Sequence, residues 1–279
     1  MKRSERLVDM TKYLMERPHT LISLPFFAKR YDAAKSSISE DLAILKHTLA
    51  SNQDGILETV AGASGGVHYI PYLGQKHADK YLSDLASRIE DPSRILPGGF
   101  VYLSDVLGNS QDLRRIGELI ATRYAYSDVD AVMTIETKGI ALAQAVARYL
   151  NVPFVTARKR SKVTEGATVS VNYISSSLDR VSKMELPTRA LPKGSNVLIV
   201  DDFMKGGGTL TGMEGLVKEF SCTVAGVCVL CEADFDKQKL IDNYISLIKI
   251  SKIDTQKRII LAEPGNFLSE TDFSRFQNK

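Results

Sequence analysis

Two adjacent carboxylates and a run of glycines follow a strongly apolar stretch of the chain. Residues 197–200 (Val-Leu-Ile-Val) favour a buried parallel strand, and Asp201 and Asp202 come directly after it. Residues 206–208 are three glycines that let the backbone turn its N–H groups toward an anion, and Thr209 adds a hydroxyl group. This arrangement predicts a phosphate at the glycine loop and a vicinal diol at the two carboxylates.

The order of these residues separates the loop from two common nucleotide-binding motifs. The nucleoside-triphosphate loop requires Gly-Lys followed by Ser or Thr, and the dinucleotide fingerprint has no pair of aspartates ahead of its glycines. We expect the next helix to begin near Leu210, so that its N-terminal dipole faces the same anion. The alternative interpretation is a strand-turn-helix with two solvated aspartates, which leaves the adjacent acids and the three glycines unexplained together.

The segment resembles the phosphoribosyl pyrophosphate (PRPP) motif of type I phosphoribosyltransferases, and the likeness covers about residues 98–260. The resemblance implies a doubly wound α/β core with a mobile loop over the site. It implies that the two aspartates hold the ribose hydroxyls of PRPP, that residues 205–209 cradle its 5′-phosphate, and that Mg²⁺ can accompany PRPP. The effector-binding residues implied in this segment are Asp201, Asp202, Phe203, Met204, Lys205, Gly206, Gly207, Gly208 and Thr209.

Two further strand-like stretches fit the same resemblance. Residues 131–135 precede Thr137, Lys138 and Gly139, which resemble the pyrophosphate-binding loop with a lysine as its cation and a glycine that opens a helix. Residues 153–157 precede the expected flexible loop, for which we predict ligand contacts from Arg158 and Lys159. That loop carries four cations within five residues, which suits a polyanion, although a solvated surface loop would look the same; the cations are Arg158, Lys159, Arg160 and Lys162.

The length and composition of the chain indicate how these motifs are housed. A chain of 279 residues suggests two domains, and the character of the sequence changes near residue 74. We therefore predict domains over residues 1–74 and 75–279, with a connecting helix over residues 75–91. With 36 Lys and Arg against 33 Asp and Glu, the net charge of +3 excludes a polybasic tail but not a local patch that binds DNA.

The sequence also bears on the compartment. Three cysteines cannot form a disulfide framework, and no segment resembles a secretory signal, so we expect a cytoplasmic protein. No apolar run approaches the length of a membrane-spanning helix, so we expect no membrane partner. Cys228 and Cys231 have metal-like spacing but lie in a strand-like stretch, which favours buried apolar cysteines over joint chelation, and no metal site is predicted.

The first 74 residues read as three helices followed by a hairpin, which is the element order of a winged helix-turn-helix. The third helix is expected over residues 34–50, with Ile44 in its apolar stripe, and Val8 is placed on the apolar face of the first helix. The alternative is a helical cap that serves as a dimerisation or lid module. The residues expected to contact DNA, at the N-terminus, the third helix and the hairpin tip, are Lys2, Arg3, Arg6, Lys35, Ser36, Ser37, Ser39, Ser64 and Gly65.

Over nearly its full length the chain resembles the purine operon repressor family of Gram-positive bacteria. The matching stretches are residues 34–41, 62–67, 96–99, 137–139 and 162–166. The fold class is therefore α/β, with an N-terminal winged helix-turn-helix followed by a doubly wound type I phosphoribosyltransferase-like domain. The resemblance implies a homodimer that binds double-stranded DNA at purine gene promoters, takes PRPP as its effector and has no catalytic residues. Repression and activation are both compatible with the sequence.

Lys205 bears on the choice between a sensor and an enzyme. In the hypoxanthine and guanine enzymes the matching position carries an Asp near the base, and in the adenine enzymes a small residue, whereas Lys205 offers a cation. This departure favours PRPP binding without transfer. An active purine phosphoribosyltransferase with an extra N-terminal domain remains the alternative, and pyrophosphate release from PRPP and a purine would identify it.

Overall fold

The computed structural model describes residues 1–62, 65–160, 163–175, 180–235 and 238–276. The N-terminal unit has the predicted order of three helices and an antiparallel hairpin, which confirms the winged-helix prediction. Within the described residues, no helix is both long enough and apolar enough to cross a bilayer. The elements of this unit are α1 (Arg3–Met15), α2 (Leu24–Tyr31), α3 (Lys35–Asn52), β1 (Ile56–Val60) and β2 (Gly66–Ile70).

Local signals account for these helices. The Ser23 side chain caps α2 by accepting a hydrogen bond from the Phe26 amide. Ile38 of α3 is fully buried in the core of the unit, but Ile44 is 41% exposed and Val8 of α1 is 71% exposed. The predicted apolar faces were wrong at these two positions. Ile44 follows Ile38 by six residues, so the two side chains lie on different faces of the helix.

The second unit begins with α4, which confirms the connecting helix, and centres on a six-stranded sheet. The order of strands is β12-β11-β10-β9-β5-β6, and all neighbours are parallel except β11 and β12. The elements are α4 (Gln75–Ile89), β3 (Ile95–Leu96), β4 (Phe100–Val101), α5 (Ser104–Gly108), α6 (Ser110–Tyr124), β5 (Ala131–Ile135), α7 (Gly139–Leu150), β6 (Phe154–Ala157), β7 (Thr168–Ser175), β8 (Arg180–Pro187), β9 (Asn196–Met204), α8 (Gly208–Glu219), β10 (Thr223–Ala233), β11 (Ile245–Asp254), β12 (Ile259–Pro264) and α9 (Phe267–Glu270).

The two faces of the sheet bury alternate residues of the same strands. Leu198 and Val200 of β9 face the cluster formed with α4 to α7, whereas Val197 and Ile199 face the cluster formed with α8. The second face is covered by α8 together with the β7–β8 hairpin, a layer that the sequence analysis did not predict. The fold is doubly wound as expected, because the β5–α7–β6 and β9–α8–β10 units lie on opposite faces.

A small aromatic cluster joins the two units. Phe276 near the C-terminus stacks on Tyr72 with ring centroids 4.4 Å apart and also contacts Tyr126. Ile56 and Ile70 of the hairpin complete this cluster. The winged unit therefore packs on the loop between α6 and β5, at the end of the sheet where β5 and β9 begin. The predicted boundary between residues 74 and 75 stays a prediction.

Candidate functional site

The crevice between β5 and β9 is the topological switch point of the sheet. The two strands pair only from Ala131 with Val197 to Met133 with Ile199, and β9 then runs on to Met204 without β5 beside it. Open α/β sheets bind ligands where adjacent strands lead to opposite faces, because their carboxyl ends leave a gap there. The carboxylates and the loops singled out in the sequence meet at this gap.

Asp201 and Asp202 border the crevice from within β9, which runs on to Met204 instead of ending before the two aspartates as predicted. Asp201 is only 4% exposed, and its Oδ1 accepts a hydrogen bond from the Asp202 amide at 2.9 Å. Burial, followed by the charge of Asp202, raises the pKa of Asp201, and burial also raises the pKa of Asp202. A buried and a half-buried carboxylate, both with raised pKa values, favour a ligand that supplies hydroxyl donors or a cation.

The end of β5 supplies the opposite wall. Lys138 is exposed at the N-terminus of α7, and its charge partly offsets the effect of burial on the pKa of Asp202. Gly139 begins α7 as predicted, and a Cβ there would overlap the Thr134 hydroxyl and lie 3.2 Å from Oδ1 of Asp201. The Glu136–Thr137 peptide bond is cis. Because Gly139 has no side chain, the backbone of this loop can pass close to Thr134 and Asp201.

The glycine loop turns between β9 and α8. Gly207 has φ +82°, a left-handed conformation that favours glycine. The helix begins at Gly208 rather than near Leu210, so the predicted start was wrong by two residues. The earlier start places Thr209 within the first turn, at the positive end of the helix dipole.

Arg158 does not offer a free cation to this site. Its guanidinium donates to Glu165 at 2.6 Å and to Glu136 at 3.2 Å, and its backbone bridges to Glu185. Two carboxylates hold this side chain, and its direct contact with a ligand stays a prediction. Lys159 borders the crevice, Arg160 is exposed, and Lys162 lies outside the described residues.

The β7–β8 hairpin contributes residues that the sequence analysis missed. Tyr173, Arg180 and Ser182 line a cavity of about 160 Å³ together with Asp201 and Thr209. Burial raises the pKa of Tyr173, while hydrogen bonds with Ser182 and Thr209 oppose that rise. The alternation of polar and apolar residues across Thr168–Ser175 is a signal from which this strand could have been predicted.

A larger cavity of about 580 Å³ lies on the other side of the glycine loop. Phe100, Phe203 and Phe235 border it together with Lys205, and Phe100 is 54% exposed. Met204 borders this cavity but is only 2% exposed and packs in the core beside α8. A third cavity, of about 530 Å³, joins Lys138 to Asp202 and Phe203.

The residues predicted to contact DNA are divided by the structure. Lys35, Ser36 and Ser39 are exposed at the start of α3, Ser37 is half-buried, and Gly65 donates a backbone hydrogen bond to Gly62. Ser64 lies outside the described residues. Lys2 and Arg3 are exposed at the start of α1.

Arg6 has a structural partner instead of a free surface. Its Nε lies 2.7 Å from Oδ2 of Asp41, a fully buried carboxylate of α3, and the Arg6 side chain is only 12% exposed. Arg3 donates to the other oxygen of Asp41 at 2.9 Å and also pairs with Glu40. This guanidinium neutralises a buried charge, and a direct DNA contact by Arg6 stays a prediction.

Within the described ranges, no group of three His, Cys, Asp or Glu side chains could hold a metal ion. Asp201 and Asp202 fit Mg²⁺ only as a pair of carboxylates, with the remaining ligands supplied by phosphates and water. Cys228 and Cys231 are fully buried in β10, as the strand pattern predicted.

Comparison with known proteins matches the N-terminal unit and the sheet domain to two different family models. Residues 2–71 match the family model described as the bacterial purine repressor N-terminal domain, and residues 104–263 match the phosphoribosyl transferase domain. A purine biosynthesis transcriptional repressor of Bacillus subtilis is 51% identical over 96% of this chain and 94% of its own length.

Two further relatives differ in what their names describe. A purine biosynthesis transcriptional activator of Lactococcus lactis subsp. lactis is 48% identical over 97% of this chain and 100% of its own. A xanthine phosphoribosyltransferase of Lactococcus lactis subsp. cremoris is 30% identical over 61% of this chain and 89% of its own, and therefore matches without the winged unit.

Proposed function

The chain belongs to the family of purine biosynthesis transcriptional regulators of Gram-positive bacteria, and we propose that it is a DNA-binding regulator of purine genes that senses PRPP. The observation that carries the sensing role is the meeting of Asp201, Lys138 and the glycine loop at one crevice. The winged unit carries the DNA-binding role.

The crevice suits each part of PRPP. The 5′-phosphate fits the amide groups of the glycine loop and the N-terminus of α8. The ribose hydroxyls fit Asp201 and Asp202, which would donate no proton while ionised and accept hydrogen bonds. The pyrophosphate fits Lys138 and the backbone of residues 137–139, and Lys159 adds a second cation. Mg²⁺ bound to the pyrophosphate would lower the cost of bringing these phosphates beside two carboxylates.

The DNA-binding surface begins at α3. Lys35, Ser36 and Ser39 present a cation and short hydroxyl side chains at the exposed start of this helix, where a recognition helix contacts base edges and phosphates. The hairpin β1–β2 follows as the wing. We propose that the protein acts in the cytoplasm. We also propose that it is a homodimer, because a two-fold dimer presents two such surfaces to two half-sites of a promoter.

The effector acts by differential affinity for two states. PRPP shifts the distribution between a state that binds DNA and one that does not by as much as its affinities for the two states differ. The named relatives include a repressor and an activator, so membership of the family is compatible with either direction of regulation.

Fluorescence anisotropy tests this proposal. The protein is titrated onto a labelled purine promoter fragment at fixed salt, with and without PRPP and Mg²⁺, and a scrambled fragment serves as the control. Specific binding that PRPP changes supports the proposal. Equal affinity for both fragments, or specific binding that does not respond to PRPP, contradicts it.

The second candidate function is an active purine phosphoribosyltransferase. The likeness to a xanthine phosphoribosyltransferase over 61% of the chain favours it, and Lys205 at the border of the aromatic cavity argues against it. We propose that the chain lacks transferase activity. Release of pyrophosphate from PRPP in the presence of xanthine, hypoxanthine, guanine or adenine would contradict this, and no release above the level of a protein-free sample supports it.

A further inference from the structure

Glu232 is a buried carboxylate that the proposed function does not use. It lies at the end of β10, beside Met204 of β9 in the strand register, and is only 6% exposed. Lys239 Nζ donates to its Oε2 at 2.6 Å and the Tyr244 hydroxyl donates to the same oxygen at 2.5 Å. The Ser246 hydroxyl donates to Oε1 at 2.6 Å. Three donors therefore hold one carboxylate, and two of them lie at the ends of residues 239–244.

Residues 239–244, which we call the brace, contact the glycine loop from behind. The Leu240 amide donates to the Gly206 carbonyl at 2.9 Å. The Cγ2 atom of Ile241 lies 2.7 Å from where a Cβ of Gly207 would be, so the brace packs against the backbone of the loop itself. The Thr211 hydroxyl, in the first turn of α8, lies 3.1 Å from the Gly207 carbonyl and 3.4 Å from the Leu240 carbonyl.

The loop needs such support because of its composition. Three consecutive glycines lose more conformational freedom on ordering than other residues, and Gly207 is held at φ +82°. A loop whose amide groups already point toward the ligand binds an anion more tightly, because binding does not have to order the loop at a cost in conformational entropy. Glu232 borders none of the three cavities described above, so it can act on a ligand only through the brace.

We propose that Glu232, Lys239 and Tyr244 are positioning residues that hold the glycine loop in the conformation that binds a sugar 5′-phosphate. This inference rests on the proposed binding of PRPP. It adds that the affinity for the sugar-phosphate half of the ligand depends on a buried ion pair that never touches the ligand. The brace makes no described contact with residues 137–139, so the pyrophosphate half of the site is independent of it.

Two half-ligands separate these effects. Isothermal titration with ribose 5-phosphate reports on the glycine loop, and titration with inorganic pyrophosphate and Mg²⁺ reports on residues 137–139. We expect Lys239→Met to weaken ribose 5-phosphate binding about tenfold or more, because it leaves the buried carboxylate of Glu232 with only its two neutral hydroxyl donors among the described residues. Pyrophosphate binding should stay within about twofold of the unchanged protein, because the brace makes no described contact with residues 137–139.

Conservative variants show that the effect is positional. Lys239→Arg restores a charged donor and should recover most of the ribose 5-phosphate affinity. Tyr244→Phe removes one neutral donor without changing shape, gives a smaller loss, and serves where Lys239→Met does not fold, as judged by circular dichroism. Unchanged ribose 5-phosphate affinity in both Lys239→Met and Tyr244→Phe, or equal loss of both half-ligands, overturns the inference. An unchanged protein that binds neither half-ligand nor PRPP overturns the proposed function, and this inference with it.

Discussion

The phenol of Tyr126 donates a 2.8 Å hydrogen bond to Oε1 of Glu58, and this bond joins the wing to the effector domain. Glu58 lies in β1, and its other carboxylate oxygen is 3.1 Å from Nε2 of His68 in β2. Tyr126 lies in the loop that leads into β5, whose far end carries the proposed pyrophosphate loop. One side chain thus contacts the DNA-binding unit and belongs to a segment that runs to the effector site.

We predict that Tyr126→Phe weakens the effect of PRPP on DNA binding. The change removes the hydrogen bond to Glu58 and should lower the free energy of unfolding by about 1 kcal/mol. PRPP affinity, measured by calorimetry, should not change, whereas the shift in DNA affinity on adding PRPP should shrink. Tyr72→Phe is the matched control, because the Tyr72 hydroxyl has no hydrogen-bond partner among the described residues. An undiminished PRPP effect in Tyr126→Phe would rule out this contact as a link.

Asp202→Ala should abolish the PRPP response and leave DNA affinity without PRPP largely intact. The carboxylate is proposed to hold a ribose hydroxyl, and hydrogen bonds to a charged group contribute about 1.5–3 kcal/mol, which corresponds to roughly tenfold or more in affinity. The anisotropy assay with a PRPP titration measures this. Asp84→Ala, at an exposed carboxylate of α4, should respond as the unchanged protein does. A normal PRPP response in Asp202→Ala would refute the site assignment.

Lys35→Ala should weaken DNA binding at every concentration of PRPP. If this lysine neutralises one phosphate, the slope of log K against log salt should become less negative by about 0.9. The measurement is the DNA affinity at four or five salt concentrations. Lys218→Ala removes an exposed charge from α8 in the effector domain and should leave the slope unchanged. An identical slope for Lys35→Ala would argue against a phosphate contact.

We expect Arg6→Ala to lower the stability of the protein more than it changes DNA binding. The change leaves Asp41 buried with Arg3 as its remaining charged partner, so the melting temperature should fall. Differential scanning calorimetry of Arg6→Ala beside Arg6→Lys and Lys35→Ala measures this. Arg6→Lys keeps the charge and should lose less. A melting temperature equal to that of the unchanged protein would argue against this structural role of Arg6.

Asp201→Asn should stabilise the ligand-free protein at neutral pH and abolish its PRPP response. The pKa of Asp201 is raised in the folded protein, so the folded state binds this proton more tightly than the unfolded chain does. The free energy of unfolding therefore falls as the pH rises from about 4 through the folded pKa, and asparagine removes this loss. Asparagine keeps the Oδ1 that accepts the Asp202 amide.

Melting temperatures measured from pH 4 to pH 8 test the sign. The gap between Asp201→Asn and the unchanged protein should widen with pH, by about 2–4 °C for each kcal/mol regained. Asp84→Asn, at an exposed carboxylate of α4, controls for the loss of a surface charge. A gap that narrows as the pH rises would mean that the pKa of Asp201 is lowered instead.

The local pattern of the chain determined which elements form and where the candidate phosphate site begins. Residues 197–200 are apolar on both faces of the strand because both sides of this parallel sheet are covered. This pattern alone predicted the two aspartates near the carboxyl end of a strand, although β9 runs on to Met204. Gly139 at the start of α7 and the order of three helices and a hairpin are equally local features, since each depends on residues within a few positions.

Only the tertiary structure decided which charges are free. Arg158 and Arg6 look like ligand contacts in the sequence, but Glu136, Glu165 and Asp41 reach them from 22, 7 and 35 residues away and hold them. The contacts of the brace with the glycine loop, and the position of Tyr173 beside Asp201, could likewise not be predicted, because no local pattern relates these residues to the loop. Charge pairing depends on distance in space, and a sequence records only distance along the chain.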